Sequence, residues 1–376
     1  MIYSSRHLLN IFKKLSDEEL INLEEEIEFY GITKPAKAAI LKGIRACLID
    51  RENATKVELS QKLGLSFPTI SKFLAEMEKD GEIVSAGIDE SSGGRRAQRY
   101  AYNPENRLGL AIFLEGNETN YSIFNCFGEV RELGVAPSLL KGDISQLTGK
   151  IADLIARRPH IRAMAVGVPG SVDKGRLIHI PGYPDYNRFD LKTYLENRFA
   201  LPTAVENDMN AAVLGFSKKH PSRSSLVYLY SGLNGPGAGM IINGSVVRGS
   251  TSFSGEVSYV PQYDRLNFHQ ALQSKMDGKR LKLDDDGKID AISRLVAAYT
   301  AIINPHAVIL NQEEVDDSIV SRIAARSAEY IPAEHLPQIE ISNWEQDYLE
   351  GLKSIALDLV ISEIAEKREE TNIEPH

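Results

Sequence analysis

Val205-Glu-Asn-Asp-Met-Asn-Ala-Ala212 lies where one periodicity hands over to another. Thr203–Glu206 alternates as a short strand, and Ala211–Lys218 continues in a helical pattern. Asn207 and Asp208 therefore stand at a strand end ahead of a helix, where α/β folds collect ligand-binding groups. An amide beside a carboxylate can pair with adjacent hydroxyls. The alternative is that the two residues only cap the helix. Glu206 beside them ends the strand.

Working outward, Leu108–Leu114, Asn120–Asn125 and Glu129–Val135 read as three strands joined by short turns. A helix at Ile144–Ile155, a buried-type strand at Ile161–Val168 and a helix at Leu191–Phe199 follow. Beyond the central stretch, Leu226–Ser231, Gly237–Ile242 and Ser245–Arg248 open a second strand cluster. Ile289–Ile303, Ala307–Leu310, Val315–Tyr330, Gln338–Ser342 and Gln346–Lys367 then alternate helix and strand. A strand cluster followed by alternation, twice over, predicts two α/β lobes with a cleft between them. No tandem short repeat is present.

Ahead of the lobes the pattern is helical. Lys37–Ile49 carries Ile40, Ile44 and Leu48 on one stripe, and Thr55–Leu63 is ended by Gly64. Ser66 opens a helix whose Ile70, Phe73, Leu74 and Met77 fall at i, i+3, i+4 and i+7, with Gly81 as its stop. Glu82–Ala86 and Arg99–Tyr102 are strand-like and flank a polar, glycine-rich tip. Three helices and a hairpin predict a winged helix-turn-helix over residues 1–104. Its third helix turns Phe67, Thr69, Ser71 and Lys72 away from the apolar stripe, for base or phosphate contact. Arg95, Arg96 and Arg99 at the tip could reach phosphates or the minor groove. A small helical unit that binds protein instead of DNA is the alternative.

Composition agrees with a globular chain: 376 residues, 43% hydrophobic and 25% charged. That length predicts more than one core. No apolar run approaches the roughly 18 residues that span a bilayer, so a cytoplasmic protein without membrane contact is expected. The two cysteines, Cys47 and Cys126, form neither a disulfide framework nor a metal knot. Net charge is −9, yet residues 34–103 hold 12 Lys/Arg against 9 Asp/Glu, a mild local excess compatible with phosphate contact. Asp17–Phe29 reads as an acidic amphipathic helix, and Asp284-Asp-Asp286 as a solvated loop.

Taken in order, Val166-Gly-Val-Pro-Gly-Ser-Val-Asp173, Val205–Ala212, Gly232-Leu-Asn-Gly-Pro-Gly-Ala-Gly239 and Gly249 through Ser254-Gly-Glu256 resemble the ROK family (repressors, open reading frames, kinases). The resemblance runs from about Leu108 to the C-terminus, and the helical unit ending in Gly93-Gly-Arg-Arg-Ala-Gln-Arg-Tyr-Ala-Tyr-Asn103 looks like the regulator branch. It implies an actin-like, sugar-kinase-like (ribonuclease H-like) domain over 105–376. It also implies sugar contacts at Asn207, Asp208 and Glu256, with Asp208 matching the kinases' base. Gly235, Gly237 and Gly239 would let a turn approach phosphate, although tight strand turns use the same residues.

The departures from the family pattern are equally informative. The kinases' Asp-x-Gly-Gly-Thr phosphate loop aligns with Phe113-Leu-Glu-Gly-Asn117, where only Gly116 survives. Glu115 and Glu118 put negative charge where phosphates sit, and Phe113 cannot help hold magnesium. Asn311-Gln312 replaces the Gly-Gly that follows the Asn-Pro strand. Tyr259 stands in the family's His position, no Cys follows Cys126, and His269 and His306 are isolated, so no zinc is expected.

The combined expectation is a DNA-binding transcriptional regulator whose degenerate kinase-like domain senses a sugar or sugar derivative without phosphorylating it. Its partners would be an operator in double-stranded DNA, the sugar effector and a second copy of the chain; no cofactor is expected. An active ATP-dependent sugar kinase with a fused DNA-binding domain is the alternative. A regulator controlled by a protein partner, with no small ligand, is the third reading.

Overall fold

The protein is described by a computed structural model over residues 34–89, 96–232, 235–263, 265–273 and 285–362. The acidic helix expected at Asp17–Phe29, the tip residue Arg95 and Asp284 lie outside the described residues.

The N-terminal unit runs α1 (Lys34–Arg51), β1 (Asn53–Thr55), α2 (Lys56–Leu63), α3 (Phe67–Lys79), β2 (Ile83–Ile88) and β3 (Gln98–Tyr102). A reciprocal capping box starts α2: the Glu58 N–H donates to Thr55 Oγ1 at 3.2 Å, and the Thr55 N–H donates to the Glu58 carboxylate at 2.7 Å. Gly64, at φ 66°, ends it in the left-handed conformation that favours glycine. Ser66 caps α3, and Ile70, Phe73, Leu74 and Met77 are its buried face, as the stripe predicts. β3 lies between β1 and β2 in an antiparallel sheet. Nothing in the sequence announces β1, because three residues carry no period.

Lobe one contains β4 (Leu108–Leu114), β5 (Glu118–Asn125), β6 (Val130–Pro137), α4 (Ile144–Arg157), β7 (Ile161–Val168), the hairpin β8 (Ser171–Asp173) and β9 (Arg176–His179), α5 (Leu191–Phe199) and β10 (Thr203–Asn207). Lobe two contains β11 (Leu226–Tyr230), β12 (Gly237–Ile242), β13 (Ser245–Val246), α7 (Phe268–Gln273), α8 (Asp286–Ile302), β14 (Ala307–Asn311), α9 (Asp317–Ser327) and β15 (Gln338–Ser342). The strand orders are β6-β5-β4-β7-β10 and β13-β12-β11-β14-β15, each an antiparallel meander extended by two parallel strands. The same path is traced twice in a sequence without a visible short repeat. The β8–β9 hairpin and α7 are absent from the sequence reading, being too short to show a period.

Two helices, α6 (Asp208–Lys219) and α10 (Trp344–Ser362), share one core with both sheets. They cross at paired glycines. A Cβ on Gly215 would lie 1.9 Å from the Asp347 carbonyl oxygen, and one on Gly351 would lie 1.8 Å from that of Ala211. The helices therefore meet backbone to backbone. α10 then reaches the N-terminal unit, where Ile361 and lobe one's Cys126 join its core. Arg45, Glu82, Tyr102 and Arg107 form a buried cluster at this junction. Arg45 Nε donates to Glu82 Oε1, Arg107 Nε donates to the same oxygen at 3.1 Å, and the Tyr102 hydroxyl donates to it at 2.8 Å. Arg45 Nη1 donates to the Ile361 carbonyl at 3.0 Å, at the negative end of α10. Among the described residues no helix is long and apolar enough to cross a membrane.

Candidate functional site

A cavity of about 300 Å³ opens between the lobes. Asn207 and Asp208 lie at its floor, Glu115, Ser171 and His179 line it from lobe one, and Glu256, Tyr259 and His269 line it from lobe two. The structure thus brings together all three residues expected to hold a sugar.

Their roles within the cavity differ. Asn207 caps α6: its Oδ1 accepts from the Asn210 N–H at 2.9 Å. Both of its amide protons are engaged, one by the Gly170 carbonyl at 3.1 Å and one by Asp208 Oδ1 at 2.7 Å. The capping alternative therefore describes Asn207, which orients Asp208. Asp208 Oδ1 also accepts from the Met209 N–H at 2.8 Å, and the rest of its carboxylate faces the cavity. Burial pushes the Asp208 carboxyl up to about 7 against the Met209 N–H, and Glu256 adds to the rise. Glu256 Oε1 accepts from the Ser171 hydroxyl at 2.7 Å, across the cleft. Ser252 to Asp173, at 3.3 Å, and Arg248 to Glu206 also bridge the lobes. Glu206 is more than a strand end, since it holds Arg248, the Asn207 N–H and the Asn210 amide.

The departures at the phosphate side have defined positions. Glu115 occupies the β4–β5 turn and lines the cavity, whereas Glu118 is exposed and bonded to Asn120. Burial, then the charge of Asp208, pushes the Glu115 carboxyl up to about 8 against the Gly116 N–H. Phe113 is buried, with its ring 4.1 Å from that of Tyr348 and edge-on to Trp344 at 5.5 Å. Trp344 stacks on Tyr230 at 4.4 Å, and its backbone N–H donates to Asn311 Oδ1 at 3.4 Å. The backbone N–H of Ser231, after β11, donates to both oxygens of the buried Glu314 carboxylate, at 2.9 and 3.2 Å. Gly239 corrects the phosphate-approach reading of its loop. It is a strand residue whose Cβ would lie 2.0 Å from the Met209 carbonyl oxygen, so the packing of β12 on α6 demands glycine there.

His179, Ser171 and His269 are cavity residues that the sequence reading missed or set aside. Only the fold brings their hairpin and helix to the cleft. His306 is structural, bonded through Nδ1 to the Ser225 backbone. Tyr259, at the family's His position, is exposed at the mouth with its ring 5.5 Å from that of Phe253.

These raised carboxyls carry a pH signature. Unfolded, Asp208, Glu115 and Glu314 titrate near their usual 3.8 to 4.5; folded, they hold protons to about 7, 8 and 8. Between those limits the native state binds more protons, so stability falls as pH rises and levels off above about 8. Carboxyls held low, such as Glu82, finish titrating below this window. The urea midpoint is expected to fall between pH 5 and pH 8, and Glu314→Gln to flatten that slope. A midpoint that climbs over the same range would contradict this account.

The N-terminal unit offers a second surface. Phe67 and Lys72 are exposed on α3, and Thr69 Oγ1 shares a hydrogen bond with Ser66 Oγ at 2.8 Å. Ser71 is half-buried with its hydroxyl enclosed, so it is less available than its helical position suggests. Arg96 is exposed. Arg99 departs from its expected role: its guanidinium is held by Asp89 at 2.7 Å, Glu58 at 3.0 Å and Asn53. It is half-buried and tied between β3, α2 and β1, and these partners offset its charge.

Comparison with known proteins agrees with this geometry. The ROK family model matches residues 140–265. The xylose repressor of Caldicellulosiruptor bescii is 28% identical over 235 residues, 59% of this chain and 57% of that protein. The chain thus spans a little under three fifths of the length of this curated relative. Among solved structures, a ROK family transcriptional regulator described as a homologue of the E. coli MLC protein superposes with a TM-score of 0.64 at 17% identity, covering 86% of this chain and 98% of that one. A ROK hexokinase from Thermus thermophilus gives 0.54 at 19%, covering 66% of this chain and 97% of that one. Sequence motifs and fold agree with this match of residues 140–265 to the ROK family model.

Proposed function

We propose that the chain is a DNA-binding transcriptional repressor of sugar-utilisation genes that senses a sugar without phosphorylating it. In this reading residues 1–104 are a winged helix-turn-helix domain and residues 105–376 the ROK sensor. The observation that carries it is the path of α10. Its first turns pack behind the cleft through Trp344 and Tyr348, and the Ile361 carbonyl near its end is held by Arg45 of the N-terminal unit. At about 1.5 Å per residue this helix is a rod of roughly 28 Å. A sugar that draws the lobes together around Asp208 and Glu256 would shift α6 and α10, and with them the spacing of two α3 helices in a homodimer. The regulator's greater coverage of this chain than the hexokinase's, 86% against 66%, supports the same assignment.

Three features support loss of phosphoryl transfer. Glu115 stands on the phosphate turn, Glu314 takes a backbone N–H after β11, and aromatic rings fill the space behind Phe113. The competing reading, an active sugar kinase with a fused DNA-binding domain, draws on Asp208, held at a helix start beside the cavity. It predicts sugar-dependent ATP hydrolysis that Asp208→Asn abolishes.

The deciding experiment is fluorescence anisotropy with DNA from upstream of the gene, at stated salt and with competitor DNA. Saturable binding that a free sugar releases, and a loss of that release by at least tenfold in Asp208→Ala, is the expected result. ATP turnover on a hexose and pentose panel would transfer the assignment to the kinase. Arg96→Ala should weaken binding and lower the salt slope by about one. Thr69→Ala and Lys72→Ala should alter sequence preference instead. Binding indifferent to all three would remove α3 and the tip from the interface.

A further inference from the structure

Two aromatic rings stand at the opening of the cleft with little of the protein covering them. Phe253 is 55% exposed and Tyr259 64%, with ring centroids 5.5 Å apart and planes tilted by 41°. Single exposed apolar side chains are ordinary, but paired exposed rings beside a cavity mark a place that something else covers. Tyr259 lines the cavity itself.

The backbone around them is pinned. Ser252, ahead of Phe253, has φ 57°, in the left-handed region that a non-glycine residue rarely occupies. Its hydroxyl donates to Asp173 of lobe one at 3.3 Å. Two residues beyond Phe253, a Cβ on Gly255 would lie 2.1 Å from the Ala238 carbonyl oxygen. The Glu256 N–H donates to the Phe253 carbonyl at 3.3 Å, and the Tyr259 N–H donates to the Glu256 carbonyl at 3.2 Å. Glu256 thus lies between the two aromatic residues in the chain and is hydrogen-bonded to the backbone of both. The fold, not a slack loop, places these rings at the opening.

The cleft therefore has two zones. Its inner part holds the carboxylates of Asp208 and Glu256. The lining residues that follow Glu256 are Ser258, Tyr259, Asn267 and His269, which offer hydroxyls, an amide, an imidazole and an aromatic face. Carboxylates suit hydroxyls. An aromatic face, negative at its centre, suits the polarised C–H groups of a flat ring. A pyranose presents both kinds of surface, hydroxyls around its rim and C–H groups on its faces.

We propose that Phe253 and Tyr259 form an outer subsite for a second ring, so that the ligand is a glycoside: a sugar held by Asp208 and Glu256 that carries a ring on its anomeric oxygen. The inference rests on the sugar-sensing reading above and extends it from one sugar to the group attached to it. A pyranose that sets a hydroxyl remote from its anomeric carbon on Asp208, at the floor, turns the anomeric carbon toward the opening. A substituent there leaves the acidic zone and meets the two rings. Another sugar or an aromatic aglycone can lie against them in the same way.

Calorimetric titration of the full chain with two series tests this. One is xylose, methyl β-xyloside, xylobiose and nitrophenyl β-xyloside; the other is glucose, methyl β-glucoside, cellobiose and nitrophenyl β-glucoside. The methyl glycosides fill the anomeric position without adding a ring. The expected result is that a ring-bearing glycoside of one series binds at least tenfold tighter than its methyl glycoside. Phe253→Ala and Tyr259→Ala should each cut that gain at least threefold and leave the methyl glycoside within twofold, with unchanged circular dichroism reporting an intact fold. A gain confined to the disaccharide identifies the second ring as a sugar, and one confined to the nitrophenyl glycoside identifies it as an aromatic aglycone. Ring-bearing glycosides that bind no tighter than the methyl glycoside, beside a free sugar that binds, would overturn the inference and leave sugar sensing in place. A gain untouched by both variants would equally overturn it. If no member of either series binds the wild-type chain, the sugar-sensing reading fails and this inference with it.

Discussion

Gly351→Val is expected to destabilise the protein by about 3 kcal/mol or more, at the top of the overpacking range. The position has no room for even a methyl group. A Cβ there would lie 1.8 Å from the Ala211 carbonyl oxygen and 2.6 Å from its carbonyl carbon. These are backbone atoms of the facing helix, so no rotamer change can relieve the clash. The reciprocal contact at Gly215, 1.9 Å from the Asp347 carbonyl oxygen, pins the same crossing from the other side. Ordinary helix pairs stand 8–10 Å apart; this pair must separate to admit a side chain, and it lies in the core shared by both sheets. Because α6 begins at Asp208, separation would also disturb the cleft. Urea unfolding followed by circular dichroism measures the effect, with Gly351→Ala as the milder step. A valine variant within about 0.5 kcal/mol of wild type would show that the crossing is not close-packed.

Glu82→Gln should cost about 3–5 kcal/mol, the range for breaking a buried ion pair. Glu82 is 4% exposed, Arg45 1% and Arg107 2%. Burial opposes the charge on Glu82, but hydrogen bonds and charge from Arg45, then Arg107, hold its carboxyl below the usual range. Removing that one negative charge takes from two enclosed guanidiniums the carboxylate they share. The loss falls at the junction of α1, β3, the entry to β4 and the end of α10. Two consequences are therefore expected together: a separate early unfolding step of the N-terminal unit and, under the proposed repressor function, DNA affinity that no longer answers to ligand. A single cooperative transition at the wild-type midpoint would refute the first. Retained ligand response would refute the role of α10 as the connection.

Much of the architecture was legible from pattern. The Ile70, Phe73, Leu74 and Met77 stripe, the stops at Gly64 and Gly81, and the strand at Leu108–Leu114 all have local causes, in period and turn chemistry. The cleft was legible through Asn207, Asp208 and Glu256 because their motifs stand in the order that resembles the ROK family. Segments shorter than a period, such as β1, the β8–β9 hairpin and α7, left no such trace.

What remained depended on partners distant in the chain. Arg99 looks like a free cation in the sequence, yet Glu58 and Asp89 lie against it. Asn207 looks like a ligand group, and its amide is consumed by the Gly170 carbonyl, Asp208 and the helix it caps. Glu82 and Arg107 look like ordinary surface charges and are among the most enclosed groups of the chain. The sequence by itself determined the order of the longer elements and the faces they bury, because periodicity and turn chemistry act between near neighbours. Only the tertiary structure decided which charges are spent on one another, which glycines are demanded by close approach and which carboxylates line the cavity. Desolvation and pairing depend on groups up to 316 residues apart, such as Arg45 and Ile361, and no local pattern records them.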